Sequence, residues 1–279
     1  MPMIELDKEK MSSVVASFQV PVKPEILSEI QSRMDEEYPN IDEIAHLISS
    51  DVGLSAAILK IINSPFYGMN RRISEIKQAV MMLGLNTINA LVTAVLLKSS
   101  FQGNASISLE RFWDDALDVA NAMTFIGSKI KAQIPIEMLY TIGLFHDCGI
   151  PLLALKYNDY KSILIEANSQ GVNSIALEEK NYRTNHAVLG FYVASSWHLP
   201  KEICQLILQH HDENYLQQLD GSQEQLAFSA LKAAENMVER VKRFKLAPDW
   251  HYLQTDVLNI LGISQEDYTD LEEDFNEIF

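Results

Sequence analysis

The chain has 279 residues, 47% of them hydrophobic, and a formal charge of −16. That apolar content suffices for one large or two small cores and is too high for a disordered protein. A surface this acidic repels a phosphate backbone over most of its area, which argues against direct nucleic-acid binding. The two cysteines, Cys148 and Cys204, sit among aliphatic residues and point to buried thiols, not to a disulfide framework. No run approaches the ~18 uninterrupted apolar residues of a spanning helix. The start, Met1-Pro2-Met3-Ile4-Glu5-Leu6-Asp7, has no basic region followed by an apolar one. The expectation is a soluble, cytoplasmic protein without membrane contact.

Helical periodicity runs through the chain and strand-like alternation is nearly absent, so the fold class is all-α. Residues 1–17 form an N-terminal segment expected to be helical. After Asp51, which is suited to accept the first free N–H groups, Leu54, Ile58, Ile61 and Ile62 recur at helical intervals. From about Asn86, Ile88, Leu91, Val92, Val95 and Leu96 make a second apolar stripe. Between them, Asn63-Ser-Pro-Phe-Tyr-Gly68 ends one helix at its proline and glycine, with aromatics to pin the loop. Asn63, Ser64 and Tyr67 admit two readings: local helix-ending and packing residues, or a loop that docks a partner.

The small, polar stretch Gly103 to Ser108 reads as a joint between two helical lobes. Beyond it, helices are predicted at Phe112 to Lys131, Pro135 to Leu155, Tyr160 to Ser169, Ala176 to Tyr182, His186 to Trp197 and Pro200 to His211. A polar break at Gln217 to Gln223 precedes a long helix near Gln225 to Phe244. Ser264-Gln-Glu-Asp267 resembles a capping box, and Tyr268, Leu271, Phe275 and Ile278 share one face of the helix that follows. Arg240, Lys242, Arg243 and Lys245 form a short basic cluster that reads as a solvated face.

The chemistry concentrates at Gly143-Leu-Phe-His-Asp-Cys-Gly149. His146 and Asp147 are wrapped by Leu139, Ile142, Leu144 and Phe145, and a charged aspartate there is costly without a cation or hydrogen-bond donors. Gly149 reads as the residue that ends their helix. His186 opens a predicted helix, and His210 with His211 closes another. If these five converge, the nitrogen and oxygen donors suit iron, manganese, nickel, zinc or magnesium. A metal there would polarise a phosphoryl oxygen and activate water, so phosphoester hydrolysis is the natural chemistry.

Taken together, several blocks resemble the HD-related output domain, HDOD. They are Phe18-Gln-Val-Pro-Val-Lys-Pro-Glu-Ile-Leu27, Ile44 to Asp51, Ala57 to Gly68, Ile73, Ala79, Leu83-Gly84, Phe112-Trp113, Gly143 to Asp147, His186 to Gly190, Trp197-x-Leu-Pro200 and His210-His211. The resemblance implies a two-lobed helical bundle related to the HD metal-dependent phosphohydrolases, some of which hydrolyse cyclic di-GMP. It implies an HDOD body over 18–215, with a helical lobe at 18–103, an HD-like lobe at 104–215, and C-terminal helices at 216–279 packing on the latter.

The resemblance further implies a metal set of His146 and Asp147 with Asp115 where a histidine is usual, Glu235 where an aspartate is usual, and Ile150 in place of a lysine. His186, His210 and His211 match positions that hold a second metal or the substrate phosphate. A bacterial signalling or regulatory module is expected, with a partial metal site and a protein partner or small phosphorylated ligand. The alternative is an active metal-dependent phosphohydrolase or phosphodiesterase with His146 and Asp147 as its catalytic residues.

Overall fold

The computed structural model describes residues 16–130, 134–212, 214–219 and 221–278. The helix expected within residues 1–17 therefore falls almost wholly outside the described residues. Among these, every regular element is helical, as the periodicity predicts. The chain divides into two compact units. One runs through Val22 and resumes at Phe101–Tyr268; the other is Lys23–Ser100 together with the chain from Thr269.

The second unit is built from α1 (Glu25–Met34), α2 (Ile41–Ser50), α3 (Val52–Ile62), α4 (Ile76–Leu83) and α5 (Leu85–Ser99). Asn40 caps α2 by accepting from the backbone N–H groups of Asp42 and Glu43, and Asp51 caps α3 by accepting from Leu54 N at 3.0 Å. The two helices meet at 111° across Asp51. Ile44, Ile48, Leu54, Ile58, Ile62, Leu91 and Leu97 fill the core at 3% exposure or less. Asn63 closes the loop after α3. Its Nδ2 donates to the carbonyls of Leu59 (2.7 Å) and Ile73 (2.8 Å), while its Oδ1 accepts from Ile73 N (2.8 Å). A short 3-10 turn, Pro65–Tyr67, follows, and Gly68 takes the left-handed conformation (φ 55°) that glycine adopts without penalty.

The first unit packs α6 (Leu109–Lys129), α7 (Ile136–Phe145) and the long α14 (Gln223–Arg243) against one another. Gly143 permits the α6–α7 approach, since a Cβ there would meet Ala120 Cα at 2.6 Å. The remaining helices are α8 (Ile150–Lys156), α9 (Tyr160–Gln170), α10 (Ile175–Tyr182), α11 (His186–Ser196), α12 (Lys201–Gln209), α13 (Tyr215–Gln218), α15 (Trp250–Leu261) and α16 (Gln265–Ile278), which begins in this unit and continues in the other. The capping box is present: Asp267 N donates to Ser264 Oγ, and Ser264 N to Asp267 Oδ2.

Two sequence expectations need correction. The single helix predicted over Pro135 to Leu155 is two helices, broken by a turn at His146 to Gly149. Gly149 does not end a helix in the left-handed region; its φ and ψ are −78° and −22°. Its missing side chain makes room for α11, because a Cβ would stand 2.0 Å from the His186 carbonyl oxygen. The stretch Ile136–Lys156 has the length and composition to cross a membrane, but 72% of its apolar window is buried in the fold, as for a core helix.

Candidate metal centre

The turn after α7 leaves His146 and Asp147 at a helix end, where Gly149 allows α11 to bring in His186. Asn185 caps α11, accepting from Val188 N at 2.9 Å, which sets His186 at the helix's first position. His210 and His211 arrive from the end of α12. Asp147, His186, His210 and His211 each present a donor atom within 4.8 Å of all the others. Asp147 Oδ1 lies 3.3 Å from both His186 Nε2 and His210 Nε2, and His211 Nε2 lies 3.0 Å from His186 Nε2. His146 Nε2 stands 3.3 Å from Asp147 Oδ2.

Three of the imidazoles are fixed through their other nitrogen. Nδ1 of His146 meets the Gly143 carbonyl at 2.7 Å, and Nδ1 of His210 meets that of Ile207 at 2.7 Å. Nδ1 of His186 meets Glu178 Oε2 at 2.8 Å. Each arrangement points Nε2 at the cluster, as metal-binding histidines require. Glu178 is wholly buried on α10. It accepts from Tyr160 Oη and Ser174 Oγ at 2.6 Å each and from the His186 backbone N–H at 2.8 Å.

These residues fit a divalent ion. Asp147 Oδ1 and His210 Nε2 are buried without a hydrogen-bond partner despite standing 3.3 Å apart, a costly state unless another group satisfies both. Bonds of about 2.1 Å from nitrogen and oxygen to a metal place neighbouring ligands about 3.0–3.4 Å apart, and Asp147 Oδ1 stands at that separation from both His186 Nε2 and His210 Nε2. His186 Nε2, His210 Nε2 and Asp147 Oδ1 would hold the ion, with His211 beside them.

The electrostatics follow from burial opposed by charge. Burial disfavours the His186 imidazolium, but the Glu178 carboxylate, with Asp147 beyond it, outweighs this and pushes the group up to about 9. Burial works against Asp147 as well, yet the facing imidazoles, His146 first and then His210 and His186, hold it well below the usual carboxylate range. His211 is held neutral chiefly by burial and by the adjoining His210. His186 Nε2 and His211 Nε2 stand 3.0 Å apart, a contact that needs the proton on one ring and the lone pair on the other.

The other expected ligands, Asp115 and Glu235, are engaged by cations. Asp115 lines the same cavity, but its carboxylate pairs with Lys242 at 2.8 Å and with Arg243. The basic cluster at the end of α14 thus finds acidic partners in Asp115, Asp118 and Glu239. Glu235 Oε1 is 3.8 Å from His146 Nε2, while its Oε2 accepts from Lys232 at 2.9 Å. Asn63, Ser64 and Tyr67 belong to the other unit, and the Asn63 amide is committed to its own loop.

Three site residues escaped the sequence reading: Glu178, Lys232 and Asp249. Asp249 occupies the N-cap position of α15 without capping it; it faces His211 Nδ1 and Lys232 Nζ, both at 3.3 Å. Lys232 carried a visible signal, a lysine among Ala230, Leu231, Ala233 and Ala234 on a helix otherwise apolar there. His146, Asp147, His186, His211, Glu235 and Asp249 line a cavity of about 650 Å³, within the range of small-molecule sites, whose wall also includes Phe112, Leu164 and the cations Arg111 and Lys161.

An all-helical fold with histidines and an aspartate gathered at a cavity floor defines the class: a helical bundle with an HD-type cluster. The chain belongs to the HDOD domain family, whose model matches residues 20–213. An uncharacterised protein of Treponema pallidum is 27% identical over 194 residues, covering 69% of this chain and 38% of that protein, so this chain matches well under half of its relative's length. An HDOD domain protein of unknown function from Geobacter sulfurreducens shares the fold with a TM-score of 0.72 at 22% identity, over 98% of this chain and 99% of that one. A candidate metal-dependent phosphohydrolase from Shewanella amazonensis does so at 0.66 and 20%, over 97% and 95%. A candidate signal transduction protein from Marinobacter aquaeolei does so at 0.73 and 18%, over 98% and 62%. At these identities the likeness is one of fold.

Proposed function

We propose that the chain is a bacterial, cytoplasmic signalling module in which a divalent metal on Asp147, His186 and His210 anchors a small phosphorylated ligand. The observation that carries this is the convergence of His186, His210 and His211 on Asp147, beside a cavity of about 650 Å³ that Asp147, His186 and His211 line. When bound, a divalent ion supplies Lewis acidity toward a phosphoryl oxygen. Arg111 and Lys161 attract the ligand's negative charge at the cavity wall, and Phe112 and Leu164 offer apolar surface to its organic part. Glu178 keeps His186 in register through two hydrogen bonds, one to the ring and one to the backbone. The Ser64 to Gly68 turn is the surface offered to a protein partner, which a pull-down with folded Tyr67→Ala would test.

Binding is favoured over turnover because two oxygen donors that could complete a hydrolytic site are engaged by cations: Asp115 by Lys242 and Arg243, and Glu235 by Lys232. Phosphoester hydrolysis is the second reading, favoured by the opening of His146 and Asp147 onto the cavity.

Elemental analysis after reconstitution with manganese, iron and nickel, followed by nucleotide titration calorimetry and a bis-p-nitrophenyl phosphate assay, separates the readings. The regulatory reading expects bound metal, nucleotide binding that EDTA and Asp147→Ala abolish, and negligible turnover. Rapid turnover lost in Asp147→Ala would favour hydrolysis, and absence of metal under every condition would remove both readings.

A further inference from the structure

Asp147 divides its two oxygens between two sets of donors. Oδ1 faces His186 and His210 at 3.3 Å each. Oδ2 faces His146 Nε2 at 3.3 Å, and that nitrogen reaches Glu235 Oε1 at 3.8 Å. The second set, however, already has a cation beside it. Lys232 Nζ lies 2.9 Å from Glu235 Oε2 and 3.3 Å from Asp249 Oδ2, on a side chain only 3% exposed. A buried ammonium persists where carboxylates pair with it. Lys232 and Asp249 also lie outside residues 20–213, so the family match assigns them nothing.

We propose that the Lys232 ammonium takes the place of a second cation, so that the centre holds one divalent metal ion per chain. This rests on the metal reading above. The ammonium offsets the charge of the two carboxylates it touches, Glu235 and Asp249, and leaves the divalent ion to Asp147. A second ion on His146, Asp147 Oδ2 and Glu235 would face the ammonium bound to the other oxygen of the same glutamate, and like charges at that range repel. With the ammonium removed, Glu235 and Asp249 are left as half-buried carboxylates without that counter-charge, and the second donor set becomes a metal site.

Equilibrium dialysis of the full chain against saturating manganese, with the fold checked by circular dichroism, tests this. The expected count is one ion in the wild type, one in Lys232→Arg, two in Lys232→Met, and one again when Glu235→Gln is added to Lys232→Met. If Lys232→Met does not fold, Lys232→Gln replaces it with the same expectation. Two ions in the wild type, or one ion in a folded neutral variant, overturns the proposal and leaves the metal reading intact. No ion in the wild type overturns the metal reading and the proposal together.

Discussion

Glu178 has no solvent exposure, yet it carries a charge that four donors share: Tyr160, Ser174, and the ring and backbone of His186. Removing the charge while keeping the shape isolates its role. Glu178→Gln should weaken manganese binding about 10–100-fold, as other partners of metal-bound histidines do, read by competition against a fluorescent chelator. The pair also fixes a pH window in the metal-free protein. Burial opposes ionisation of Glu178, but the His186 charge and hydrogen bond lower it below its ordinary 4.5, so its contribution is full above 4.5 and is lost as pH falls through the lowered value. His186 is raised from 6.5 to about 9, so its contribution is full below 6.5 and fades as pH rises through about 9. The melting-temperature gap between wild type and Glu178→Gln should therefore be widest from pH 4.5 to 6.5 and narrow toward pH 9. At this scale His146 and Asp147 were legible because a charged pair inside an apolar run demands partners. Glu178 and Asp249 were not, because an acid on a helix reads as solvated until the fold shows what it faces.

The decisive local element is the turn between α7 and α8. Apolar residues continue through it, from Leu144 and Phe145 to Cys148, Ile150 and Leu152, so periodicity alone carried one helix across the break. What sets the turn's place is tertiary: the Gly149 backbone lies against α11 at His186 and Gly190. Gly149→Ala drives a Cβ into the His186 carbonyl oxygen, 2.0 Å away. It should cost about 3 kcal/mol in urea unfolding and, in chain that remains folded, reduce metal binding by displacing His186. In the other unit, Asn63 holds both ends of its loop through three hydrogen bonds. Asn63→Ala leaves the Ile73 N–H and two carbonyls without that partner and should lower stability by about 1–3 kcal/mol, measurable by thermal unfolding. The strongly periodic helices after Asp51 and Asn86 were legible to within a turn, since one apolar face each faces a core. The helix Trp250–Leu261 was not read, although its Leu253, Val257, Leu258 and Leu261 are buried.

Over the whole molecule, the donor atoms come from the α7–α8 turn, the start of α11 and the end of α12, so they converge only in the folded chain. A ligand that binds only the folded state adds RT ln(1 + [L]/Kd), about 2.7 kcal/mol at a hundredfold excess over Kd. Manganese should raise the melting temperature, and EDTA should reverse the rise; scanning calorimetry with Asp147→Ala as the unresponsive control checks both.

Asp249, the carboxylate that forgoes capping α15 to face His211 and Lys232, has a consequence for synthesis. It leaves the ribosome after all four clustered donors have already emerged, so a nascent chain carries the imidazoles of residues 186, 210 and 211 before it carries the acid that orients the last of them. A fragment cut to the span of the family likeness, 20–213, lacks Asp249 as that nascent chain does. Its affinity for metal would be that of a centre whose His211 lacks this carboxylate.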